Sequence, residues 1–127
     1  MKNVQDFAKD FQRDMNWEID NTGFEKTRSS LLNNYMLLTT EVAEVAEEFR
    51  KAFNMTFEFK NDGIEEEKAF KLAKEIVKED IGKELSDCIA YILKFANFFE
   101  IDMEDSFYKK MHEIKHRKNK DIPRPRI

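Results

Sequence analysis

The chain has 127 residues, with 22 basic against 26 acidic side chains for a net charge of −4, and only three Gly and two Pro. That length fits one domain over residues 1–127, the scarcity of turn-formers argues against a sandwich or barrel, and the charge balance leaves no general nucleic-acid footprint. Twelve Phe and a 41% hydrophobic share supply a core, while a single Cys excludes a disulfide framework or a Cys-based zinc site. No apolar run approaches a membrane span and no signal peptide opens the chain, so a cytoplasmic, all-α protein without membrane or nucleic-acid partners is expected.

Val4, Phe7, Ala8, Phe11 and Met15 recur at steps of three and four, which predicts an amphipathic helix over residues 3–19. Asn21-Thr22-Gly23 then reads as a turn. A long second helix is expected from Thr27 or Ser30 to Phe53, with a seam of Leu38, Val42, Val45, Phe49 and Ala52. Residues 54–64 read as an irregular insertion, an extended segment or part of a lid, closed by the turn signal Asn61-Asp62-Gly63. A third helix spans Glu65 to Phe99, with a possible break near Asp80–Gly82 because Gly in a helix interior costs about 1 kcal/mol. Asp102 is a good N-cap for a fourth helix that runs to Lys118 and ends on bases, as the helix dipole favours. Residues 119–127 form an extended tail, because prolines at 123 and 125 cannot sit inside a helix. The sum is a four-helix-bundle-type domain.

Helix two carries Glu41, Glu44, Glu47 and Glu48 within LLTTEVAEVAEEF. At 100° per residue, Glu41, Glu44 and Glu48 fall along one flank of the apolar seam, whereas Glu47 lies opposite and faces solvent. Helix three repeats the theme in KELSDCIAYILKF: Leu85, Ile89, Ile92 and Ala96 make a seam, while Glu84, Asp87 and Tyr91 share another face that Phe95 and Phe98 extend. Charge runs on helices are usually solvated, and one ExxE is weak evidence of anything. Two acidic pairs embedded in apolar sequence on adjacent helices are harder to dismiss, since acids buried without partners are very costly. If the helices pack together, Glu41, Glu44, Glu84 and Asp87 converge on a site suited to a hard divalent cation such as Mg²⁺.

The segments EVAE (Glu41–Glu44) and ELSD (Glu84–Asp87) resemble the ExxE and ExxD motifs of the MazG-like all-α nucleoside triphosphate pyrophosphatases. The likeness extends into EVAEVAEEF, ELSDCIAYILKFANFFEID and the basic KMHEIKHR (Lys110–Arg117), covering about residues 28–118. The 39 residues between the pairs, 45–83, are more than is usual in that family, and Ile114 stands where the family often has Asn. The resemblance implies a Mg²⁺-dependent enzyme, with Mn²⁺ able to substitute, that hydrolyses a (deoxy)nucleoside triphosphate to the monophosphate and pyrophosphate and so cleans the nucleotide pool. It implies metal ligation by Glu41, Glu44, Glu84 and Asp87, activation of water by Glu41 or Glu44, and a phosphate contact from Tyr91. Lys109, Lys110 and Arg117 are candidates to complement the remaining phosphate charge, and Trp17, Phe49 and Phe53 to stack on the base.

Both histidines fall in His112-Glu113-Ile114-Lys115-His116, the HExxH pattern of zinc peptidases. A third ligand is wanting, Lys115 sits inside the motif, and the helix is polar all round after Met111, so that reading is set aside. Cys88 reads as a small core residue. A helix apolar on two faces needs more cover than one small domain provides, so a homodimer or homotetramer is expected. The alternative to an enzyme is a non-catalytic helical dimerisation or regulatory module whose acids face water.

Overall fold

Periodic apolar positions and the lack of mid-helix breakers give four helices in the computed structural model, which describes residues 1–117. They are α1 (Lys2–Asp14), α2 (Phe24–Asn61), α3 (Glu66–Phe98) and α4 (Met103–His116). Among the described residues there is no strand, and no helix is long and apolar enough to cross a membrane. The expected tail at 119–127 lies outside them.

The helix ends have a common cause. In α1 the Trp17 amide donates to the Gln12 carbonyl and the Asn16 amide to that of Arg13, with Asn16 in the left-handed region at φ 56°. This is a Schellman closure, and it carries the usual apolar clasp, since Trp17 sits edge-on to Phe11 at 5.6 Å. It stops α1 at Asp14, short of the residue 19 that periodicity alone predicts. The same closure ends α3 through Glu100 (φ 56°) and α2 through Gly63 (φ 93°), where glycine makes the left-handed turn without steric cost. The Asn-Asp-Gly signal therefore terminates a helix. Residues 54–61, expected to be irregular, are helical, because Thr56 is buried and Met55 and Phe59 are half-buried along the line that includes Ala52. Thr56 satisfies its hydroxyl by donating to the Ala52 carbonyl at 2.8 Å, which offsets the poor helix propensity of a β-branched residue. Nor does α3 break at Gly82.

The chain divides into two compact units, one built from Met1–Glu18 with the segment from Leu93 onward, the other from Ile19–Ile92. In the first, α1 packs on α4. Buried Gln5 ties the junction: its Nε2 donates to Asn97 Oδ1 (3.0 Å) and to the Ile101 carbonyl (2.6 Å), and its Oε1 accepts from the Met103 amide (3.0 Å). Asp102 caps α4 as expected, accepting from the Asp105 amide at 3.1 Å. The buried line of α1 is Gln5 and Gln12, whereas Val4, Phe7, Phe11 and Met15, the expected core face, are exposed.

The second unit is an antiparallel pair of α2 and the part of α3 up to Ile92. Lys60 pairs with Glu66 at 3.2 Å, Lys51 lies 3.9 Å from Asp80, and Glu41 meets Glu84 and Asp87, so positions rise along α3 as they fall along α2. Its core is Val45, Ala52 and Thr56 on α2 with Ala69, Ala73 and Val77 on α3. Alanine at 69 and 73, wholly buried, leaves room for close approach of another element. Leu38, Val45 and Ala52 of the expected α2 seam, and Ala96 of the expected α3 seam, do turn inward. Val42 and Phe49 are exposed on α2, as are Leu85, Ile89 and Ile92 on α3.

Candidate metal centre

The buried line of α2 steps by four and three through Asn34, Leu38, Glu41, Val45, Glu48 and Ala52, the heptad spacing that keeps one face turned to a neighbouring helix. Two of those inward positions are glutamates. On α3 the corresponding line is Val77, Ile81, Glu84, Cys88 and Tyr91, at least half-buried throughout, with Asp87 exposed at its edge. Apolar neighbours on both helices thus carry acids into the seam of the pair, where sequence patterning alone would put leucines.

Glu41, Glu84 and Asp87 each bring a carboxylate oxygen to within 4.8 Å of the others. The electrostatics follow from that crowding. Burial, then the charges of Asp87, Glu84 and Glu44, and a hydrogen bond with Asp87 push the Glu41 carboxyl above the usual glutamate range. Burial and the charges of Asp87, Glu44, Glu48 and Asp80 do the same to Glu84. Neighbouring groups register the same negative field. The Cys88 thiol is raised by burial and then by Glu41, Asp87 and Glu84, and the Tyr91 phenol by burial and then by Glu41 and Asp87. A cluster that disfavours its own ionisation has the donors and the spacing to hold a metal ion. All-oxygen ligands select hard divalent ions of the Mg²⁺ and Mn²⁺ kind over soft metals.

Of the four expected ligands, three lie in this group. Glu44 is exposed and stands outside the 4.8 Å cluster, yet its charge reaches both Glu41 and Glu84. Glu47 points away, exposed and paired with Arg50 at 2.6 Å, as helical geometry requires. Tyr91 feels the cluster, whereas Phe49 and Phe53 are about half-exposed on α2. Trp17 belongs to the other unit and packs on Phe11. Lys109, Lys110 and Arg117, also of that unit, are engaged on α4 itself: Lys109 with Asp105 (2.9 Å), Lys110 and Arg117 with Glu113 (3.2 and 3.6 Å). Those last pairs bear on HExxH as well. Glu113 is held by two cations, and although His112 and His116 meet edge-on at 4.4 Å, they join no group of three metal-binding side chains among the described residues.

Glu48, placed by the sequence on the flank of Glu41 and Glu44 but not counted as a ligand, and Lys51 complete the surroundings. Glu48 is 8% exposed; its Oε1 holds the Lys51 ammonium at 2.9 Å, while its Oε2 is sealed from solvent without a hydrogen-bond partner. The readable signal was the step of seven from Glu41, which returns to the same inward position. Comparison with family models, curated proteins and solved structures found no match.

Proposed function

We propose that the chain is a metal-dependent nucleoside triphosphate pyrophosphohydrolase of MazG-like type, acting on nucleotides of the cellular pool. The observation that carries this reading is the convergence of Glu41 with Glu84 and Asp87, one residue from an ExxE pair and two from an ExxD pair on antiparallel helices. A triphosphate is strongly anionic, so an acidic site can accept it only together with cations. Bound Mg²⁺, or Mn²⁺ in its place, supplies that neutralising charge and polarises phosphate oxygens.

The chain's own groups do the rest. Glu41, Glu84 and Asp87 would hold the metal, with Glu44, outside their 4.8 Å cluster, as the fourth candidate ligand. Glu41 or Glu44 accepts the proton of the attacking water. The water oxygen adds to one phosphorus as the bond between the α- and β-phosphates breaks, leaving monophosphate and pyrophosphate. Tyr91 offers a hydroxyl beside the cluster. Phe49 and Phe53, on the same helix as Glu41, are assigned to the base. The exposed apolar side chains Val42, Phe49, Phe53 and Phe57 of α2 support assembly with a second copy, since a face of that size is normally covered. The same face is what a non-catalytic dimerisation module would need, and such a module has no use for a metal.

The deciding assay measures pyrophosphate release from canonical and modified (deoxy)nucleoside triphosphates with Mg²⁺. The parent should release it and Asp87→Ala should not, while both remain helical by circular dichroism. Equal release by the two chains would remove Asp87 from the chemistry. No release from any nucleotide would favour the non-catalytic module.

A further inference from the structure

Both histidines of the chain lie near the end of α4, and nothing in the proposed reaction uses them. A step of four residues sets His112 and His116 on one helix face, one turn apart, with Cβ atoms about 5–6 Å from each other. Their rings converge: the centroids are 4.4 Å apart and the planes meet at 62°. Two imidazoles that share one ion at a right angle, through nitrogen bonds of about 2.0–2.1 Å, have ring centres about 4.5 Å apart. A tetrahedral angle at the ion would spread them to about 5.2 Å. The observed spacing is that of neighbouring ligands on a tetragonal ion.

The surroundings admit a cation. Both side chains are exposed, so water can fill the ion's other positions. Nearby bases are drawn aside: Lys109, one turn earlier, reaches back to Asp105 at 2.9 Å, while Lys110 and Arg117 hold Glu113 at 3.2 and 3.6 Å. Lys115, one residue from His116, projects about 100° round the helix from it. The last turn also carries the negative pole of the helix dipole, which favours positive charge at this end. Imidazole nitrogens select late transition ions, whereas the oxygens of the acidic triad suit hard ions.

We propose that His112 and His116 form a two-imidazole site for a tetragonal late transition ion of the Cu²⁺ or Ni²⁺ kind, which clamps the last turn of α4. It is a chelate without a general base, since Glu113 is occupied by its two cations, and so differs from an HExxH peptidase centre. It is also independent of the acidic triad and shares no residue with it.

The test gives the full chain an equimolar amount of Cu²⁺ with Mg²⁺ in excess, and reads the copper by electron paramagnetic resonance. Nitrogen ligands split the copper lines, and carboxylate oxygens do not. The parent should show the splitting of two nitrogens. His112→Ala and His116→Ala should each reduce it to one and weaken Cu²⁺ binding about a hundredfold in chelator competition, because the second ligand no longer acts intramolecularly. Oxygen-only coordination or a single nitrogen in the parent overturns the site. Two-nitrogen splitting that persists after both histidines are replaced assigns the copper elsewhere and overturns it too. The parent's spectrum keeps the inference open to refutation even if a variant misfolds, and pyrophosphate release measured without copper tests the triad separately.

Discussion

Replacing Glu48 by Met should stabilise the metal-free chain. The side chain is 8% exposed and one of its oxygens is both sealed from water and unpartnered. Leaving a buried polar group unsatisfied costs about 1–3 kcal/mol, more when it is charged, and apolar replacements of similar shape are often neutral or favourable. Methionine is unbranched and of comparable length, so it can follow the same path between Val45 and Ala52 with little repacking. The opposing loss is the ion pair with Lys51, which is weak because the ammonium is about half-exposed and stays within 3.9 Å of Asp80. The net gain should be about 1–3 kcal/mol, which for a chain of this size raises Tm by roughly 3–12 °C. Melting followed by circular dichroism in chelator measures it directly. A lower Tm for Glu48→Met in chelator would show that the Lys51 pair outweighs the orphaned oxygen, and would refute the premise of strain at this position.

Metal-free stability should fall as pH rises above about 4.5, the ordinary glutamate value, because Glu41 and Glu84 hold their protons more tightly folded than unfolded. In that window the folded chain binds more protons, so the stabilising contribution present at low pH is lost as pH passes through the raised values; chemical denaturation at a series of pH values upward from the ordinary glutamate range should show this slope in chelator and lose it in Mg²⁺. Glu47→Ala should leave pyrophosphate release and metal uptake unchanged, since that carboxylate faces solvent and pairs only with Arg50 among the partners seen for it; a dead variant would mean that the ExxE register is wrong. Sedimentation at micromolar concentration should give a species larger than one chain, and an Asp substitution at Phe53 should shift it toward monomer; a parent that runs as a monomer would leave the exposed α2 face without a partner of its own kind.

Helix number and order were legible because periodicity at three and four is a strong signal over long segments, and the α4 cap was legible because Asp102 precedes a first turn rich in acids. Two boundaries were not. Residues 54–61 look unhelical one at a time, with Thr56 among Asn54, Phe57, Phe59 and Asn61, yet Thr56 and its companions extend a buried line begun at Asn34, and tertiary burial overrides local propensity. The end of α1 depends on Asn16 entering a left-handed conformation and on Trp17 folding back onto Phe11, a local closure that an apolar period of 3.6 cannot express.

The site was legible for the reason that the seams were not. Seeking the most apolar stripe on α2 selects Val42 and Phe49, each one residue past an inward glutamate, and so turns the expected face by about 40° from the observed one, which keeps Leu38, Val45 and Ala52. That choice treats charge as a marker of the outside. Spacing within the acidic pairs is indifferent to the rotation: Glu84 and Asp87 share a face wherever that face points, so their meeting with Glu41 survived the error. Glu48, which the sequence already places on one flank with Glu41 and Glu44, shows its depth of burial only once Glu41 is seen to sit in the core line with Val45 and Ala52. A chain that spends two heptad positions on carboxylates, and exposes valine and phenylalanine beside them, follows patterning rules everywhere except where ions and a second surface would have to be accommodated. The displaced apolar face and the inward acids are then one fact about how α2 is rotated, and mutations that turn that helix should weaken metal binding and self-association together.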